Sequence, residues 1–128
     1  MKKIKKATII LSHGSKNEKS NKQFKRLVSK SHNKNRYIKG AFLEYGKPRF
    51  EKVVREILSN NITDITIFPL FLFGGYHVRE DIPEKIIKLK NKHQELNFTL
   101  MEPLGLREDF SDFLKSQLNY NQYRSKII

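Results

Sequence analysis

Ile67-Phe68-Pro69-Leu70-Phe71-Leu72-Phe73-Gly74-Gly75-Tyr76-His77-Val78-Arg79-Glu80-Asp81-Ile82-Pro83 is the stretch on which the reading of this chain turns. Its apolar run, continued back to Thr63, has the content of a strand buried on both faces. A glycine pair breaks the run at Gly74-Gly75 and a histidine, His77, follows. Asp81 then reads as a helix cap with Pro83 in the first turn. A buried strand that passes through a short loop into a helix is the repeating unit of an alternating α/β fold.

The same unit recurs on either side. Lys6–Leu11 is an apolar, β-branched strand ending in the polar loop Ser12-His13-Gly14-Ser15, and a weakly amphipathic helix follows over Glu18–Ser31 with Phe24, Leu27 and Val28 on its apolar side. Tyr37–Leu43 is a second strand, stopped by Glu44-Tyr45-Gly46-Lys47-Pro48. The helix Arg49–Asn60 carries Phe50, Val53, Val54, Ile57 and Leu58 on one continuous face. The third strand, Thr63–Leu72, leads into a helix with a stripe of Ile82, Ile86 and Leu89. Phe98–Met101 is a short fourth strand, Pro103-Leu104-Gly105 punctuates it, and Phe110, Phe113, Leu114 and Leu118 mark a last helix before a frayed tail over 119–128. The pattern β-α-β-α-β-α-β-α predicts one α/β domain over residues 1–128, with a four-stranded parallel sheet and helices on both faces. By analogy with flavodoxin-like sheets the expected strand order is 2-1-3-4, which places a topological switch point between the first and third strands.

Composition narrows the chemistry. The 128 residues contain no cysteine, so a metal would have to be held by imidazole and oxygen. The apolar runs are far shorter than a membrane-spanning helix requires, and the basic start Met1–Lys6 is followed by too short an apolar run to serve as a leader. The expectation is a soluble, cytoplasmic protein with no membrane partner. A net charge of +13, from 26 Lys and Arg against 13 Asp and Glu, favours anionic partners. The excess is mostly lysine, spread along the chain and accompanied by many asparagines, so an AT-rich coding bias accounts for it equally well. Basic and aromatic residues are not interleaved and no nucleic-acid motif is present, so no nucleic-acid partner is expected.

His13 and His77 each follow the carboxyl end of a strand flanking the expected switch point, and Glu44 follows the end of strand two on the same rim. Two imidazoles and a carboxylate at one sheet edge suit a borderline divalent metal such as Co²⁺, Ni²⁺, Fe²⁺ or Zn²⁺, with coordination positions left open. Each residue also has a plainer reading. A histidine after a strand is commonly a loop residue, and Glu44 could answer a helix N-terminus. Ser12–Ser15 lacks the spaced glycines and lysine of the established phosphate loops. Gly74-Gly75 permits positive φ and close approach of a flat ligand. Phe71, Phe73 and Tyr76 are placed to wall such a ligand, although one of Phe71 and Phe73 should complete the core. His32 and His93 read as solvated surface.

Ile9-Ile10-Leu11-Ser12-His13-Gly14-Ser15, Ala41-Phe42-Leu43-Glu44 with Pro48, the long block Pro69–Pro83 and Glu102-Pro103-Leu104-Gly105 together resemble the small, CbiX-type sirohydrochlorin chelatases of the class II chelatase superfamily. Ser12 and Lys16 depart from the usual glycine and arginine of that pattern. The resemblance implies ATP-independent insertion of a divalent metal into a sirohydrochlorin-type tetrapyrrole, cobalt first and nickel next, or iron on the route to siroheme. The metal is a substrate and no permanent cofactor is implied. It further implies His13 and His77 as metal ligands, and His13 as proton acceptor with Glu44 as a second catalytic candidate. Lys47 and the run Leu72, Phe73, Gly74, Gly75, Tyr76 and His77 are implied tetrapyrrole contacts, and a homodimer is the implied assembly. A non-enzymatic polyanion- or tetrapyrrole-binding module is the alternative.

Overall fold

The computed structural model describes residues 5–75 and 77–119, with the His77 side chain outside the description. The tetrapyrrole contact expected of Tyr76 and the tail over 120–128 therefore fall outside the described residues. Four strands form one parallel sheet in the order 2-1-3-4: β1 (Lys6–Gly14), β2 (Tyr37–Tyr45), β3 (Asp64–Pro69) and β4 (Asn97–Leu100). The crossovers carry α1 (Glu18–Lys30), α2 (Phe50–Ser59) and α3 (Ile82–Lys92), and α4 (Glu108–Leu118) follows β4.

Alternation along the central strand sets the two layers. Ala7, Ile9 and Leu11 of β1 point into the main core, joined by Ala41 and Leu43 of β2 and by Ile65 and Ile67 of β3. Against this face α2 buries Phe50, Val53, Val54 and Ile57, and α3 buries Ile82 and Leu89 with Ile86 packed at the edge. A buried leucine or isoleucine of this kind contributes about 1.5–3 kcal/mol relative to an exposed one. The opposite face is covered more thinly. There Phe24 of α1 meets Phe42 at 5.1 Å between ring centroids, Gly40 leaves room for Val28, and Arg107 lies over Phe68 at 5.8 Å.

Four expectations change. β1 and β2 run on through His13 and Glu44, because both continue to pair beyond Leu11 and Leu43. β3 stops at Pro69, and the segment after it is held by Leu70 N–H donating to the Leu11 carbonyl and by Leu104 and Gly105 N–H donating to the carbonyls of Phe71 and Leu72. Asp81 does not cap α3. It is itself helical, with no side-chain cap bond, because a π-helical turn over His77–Asp81 leads directly into α3. Pro83 has no N–H to donate one turn back and its ring crowds the preceding carbonyls, and a widened turn just before it accommodates both. Finally, Leu27 is exposed, and of the predicted last-helix stripe Phe113, Leu114 and Leu118 are exposed while Phe110 is half-buried.

Candidate active site

At the carboxyl edge of the sheet the β1–β2 ladder breaks register. Ser12 pairs with Phe42, but Gly14 pairs with Tyr45, so β2 uses three steps where β1 uses two. In an unbroken ladder His13 would stand beside Leu43, and Glu44 would turn to the other face of the sheet. The extra residue re-aims Glu44, as bulges do at the ends of strands. His13 Nε2 consequently lies 3.4 Å from Glu44 Oε2, with both side chains open to solvent on one side. The Tyr45 ring meets the imidazole edge-on at 5.6 Å, and Lys16 Nζ sits over that ring at 5.4 Å. Gly14 makes the close fit possible: its φ is +92°, and a β-carbon there would collide with the Tyr45 carbonyl.

The pair opens into a cleft of about 430 Å³ bounded by His13, Leu43, Glu44, Arg49, Asp81, Glu84, Lys85 and Lys88. Its floor is the end of β1 and β2, and its other walls are the start of α2 and the first turns of α3. Asp81, Glu84, Lys85 and Lys88 repeat at helical spacing, which is the signal that could have marked this face in the sequence. Arg49, at the N-terminus of α2, donates a long bond of 3.5 Å to the Leu43 carbonyl. Lys85 pairs with Glu51 at 3.0 Å and Lys88 with Glu84 at 3.8 Å. Partial burial pushes the Glu51 carboxyl up, but its backbone N–H, Lys85 and Arg49 outweigh this and hold it below its ordinary 4.5.

The remaining candidates are distributed as follows. His77 opens the π-helical turn whose last residue, Asp81, lines the cleft. Lys47 is exposed and lines a neighbouring cleft with Glu18, Asn21, Lys25 and Gly46, with Arg49 common to both. Leu72 and Phe73 are exposed, whereas Phe71 packs against the core, so the split expected between the two phenylalanines is observed. Gly74 and Gly75 do not adopt positive φ; a β-carbon on Gly74 would touch Arg79 and Pro103 at ordinary distances, and one on Gly75 would meet open space. Positive φ is used instead at Gly14 and Gly46. His32 is exposed as expected, but His93 is half-buried beside Glu51 and Lys92. Among the described residues no three His, Asp or Glu side chains gather as a closed metal site, and no helix is long and apolar enough to cross a membrane.

A doubly covered parallel sheet with an imidazole–carboxylate pair at its carboxyl edge defines an α/β protein with a site at the strand ends. The CbiX family profile matches residues 7–120, and the chain belongs to that family. It is 24% identical over 114 residues to a sirohydrochlorin cobaltochelatase of Priestia megaterium, covering 88% of this chain and 37% of that protein. It is 32% identical over 78 residues to a sirohydrochlorin ferrochelatase of the same organism, covering 61% of this chain and 29% of that one. The chain thus spans roughly a third of the length of these curated relatives. The crystal structure of a CbiX protein from Marinobacter aquaeolei VT8 superimposes with a TM-score of 0.75 at 27% identity, covering 88% of this chain and 97% of that one.

Proposed function

We propose that this protein inserts a divalent metal, Co²⁺ in the first instance, into sirohydrochlorin without ATP. The observation that carries the reading is the His13–Glu44 pair at 3.4 Å, opening into a cleft that Arg49, Lys85 and Lys88 also line. Metallation exchanges two pyrrole N–H protons for one M²⁺. It therefore needs ligands that hold the ion loosely and bases close to the ring nitrogens. Imidazole can do either near neutral pH. His13, with His77 at the start of the facing helical segment, presents the ion over the macrocycle. Glu44 takes up one released proton and His13 the other as it gives the ion up to the ring, and the short ligand set leaves positions open for pyrrole nitrogens.

The substrate carries several carboxylates, which Arg49 attracts at the cleft and Lys47 from the adjoining one, whereas Lys85 and Lys88 are already paired with Glu51 and Glu84. Leu72 to His77 would lie against the ring, and Gly75 leaves space beside it. A second copy of the chain would cover the exposed Leu72, Phe73, Leu106, Phe113, Leu114 and Leu118, and a homodimer of a cytoplasmic enzyme is the assembly this reading takes. Similarity to both a cobaltochelatase and a ferrochelatase supports iron insertion as the second reading, with nickel third.

The test is the visible-absorption change of sirohydrochlorin on adding Co²⁺, Fe²⁺ or Ni²⁺ with and without the protein. The reading predicts acceleration, fastest with Co²⁺. Salt-sensitive polyanion binding without any acceleration would favour the binding-module alternative.

A further inference from the structure

Asn21 is a buried polar side chain, 3% exposed, in the second turn of α1. Its Oδ1 accepts from the Ser15 N–H at 2.9 Å. Its Nδ2 donates to the Ser15 carbonyl at 2.8 Å and to the Tyr45 carbonyl at 3.1 Å. One side chain thus holds both main-chain groups of a residue just past β1 and one at the last residue of β2. His13 lies two positions before Ser15, and Glu44 one position before Tyr45. The Tyr45 carbonyl is also the group against which Gly14 packs, at the point where the β1–β2 register shifts.

We infer that Asn21 is a positioning residue: it clamps the two strand ends so that the bulge holds Glu44 alongside His13. A buried amide is costly unless its hydrogen bonds are made, and both Nδ2 protons are used here. The ladder is interrupted between Ser12 and Gly14, the step that carries His13 on β1 and Leu43 and Glu44 on β2, and the clamp spans that interruption. No first-turn N–H of Lys19, Ser20 or Asn21 serves Tyr45 in its place, since all three are taken up by the side chain or carbonyl of Asn17. The inference rests on the chelatase reading for its catalytic consequence, and its effect on the ion rests on the Glu44 carboxylate standing beside His13, where it attracts a cation held by that imidazole.

The test uses Asn21→Asp, which keeps size and the acceptor but loses both donated bonds, and Asn21→Ser, which is too short to span the gap. Each is made in the wild-type and Glu44→Gln backgrounds. Folding is checked by circular dichroism, turnover by Co²⁺ insertion into sirohydrochlorin, and ion affinity by calorimetric titration with Co²⁺ alone. The clamp predicts a kcat at least tenfold lower with KM for the tetrapyrrole changed less than twofold, and a Kd for Co²⁺ at least threefold higher. It also predicts that the same substitutions cost less than twofold in either quantity once Glu44 is Gln. A merely structural asparagine would give losses that multiply independently across the two backgrounds, and that result, or wild-type kcat and Kd in a folded variant, overturns the inference. Wild-type protein that binds Co²⁺ but does not metallate sirohydrochlorin overturns the chelatase reading instead, and the clamp is then decided by the Co²⁺ affinities.

Discussion

Glu44 reaches His13 because β2 carries one residue more than β1 at the edge of the sheet, and a single glycine lets the strands close around that extra residue. Gly14→Ala should destabilise the protein by about 2 kcal/mol in urea unfolding, since it adds both a left-handed β-carbon and a collision with the Tyr45 carbonyl. Glu44→Gln keeps the shape of the side chain and removes its charge and basicity. It should lower kcat for metal insertion roughly tenfold or more, within the range of a general-base contribution, and leave the unfolding midpoint nearly unchanged. His13 and Glu44 were both legible in the sequence as strand-end residues on one rim. Their contact was not, because a bulge shifts the face on which a residue lies without changing any hydrophobic pattern. Asn21 was hidden for a related reason: an asparagine within a lysine-rich helix reads as solvent-facing until its partners are known.

At the scale of elements, α2 is where sequence and structure agree most closely. Its apolar face at Phe50, Val53, Val54 and Ile57 is buried as the spacing requires, with Leu58 half-buried at the margin. Ile57→Ala should cost 2–5 kcal/mol, about the range for a fully buried isoleucine, whereas Leu118→Ala on α4 should cost less than about 0.5 kcal/mol in the isolated chain. That contrast marks the limit of periodicity: it shows that α4 has an apolar side, but not that this chain buries it. The α2–α3 junction offers a second check through Glu51 and Lys85. Because the folded Glu51 carboxyl binds its proton less tightly than the unfolded one, the pair's contribution is present above about pH 4.5 and fades as pH falls through the lower folded value. Glu51→Gln should therefore destabilise by no more than about 1 kcal/mol near pH 7, a difference that shrinks towards acid pH in parallel denaturation curves. The π-helical turn is not legible in the sequence, since Asp81-Ile82-Pro83 is as good a helix start as it is a continuation of one.

Over the whole molecule, alternating strands and helices are enough to predict the parallel sheet, whereas its 2-1-3-4 order comes by analogy with flavodoxin-like sheets and is the order observed. The His13–Glu44 pair proposed as the site lies at the carboxyl edge, where open α/β sheets place their ligands. The exposed apolar residues after β3 and on α4 predict self-association, which sedimentation equilibrium would show as a dimer that Phe113→Asp dissociates. The central claim is that His13 takes part in metallation at this edge. Its most direct measurement is the rate of Co²⁺ insertion into sirohydrochlorin by wild-type protein and by folded His13→Ala, followed by absorption under the same conditions. The proposed site predicts clear acceleration by the wild type and a loss of at least a hundredfold in the variant; an equal rate in the two proteins would contradict it.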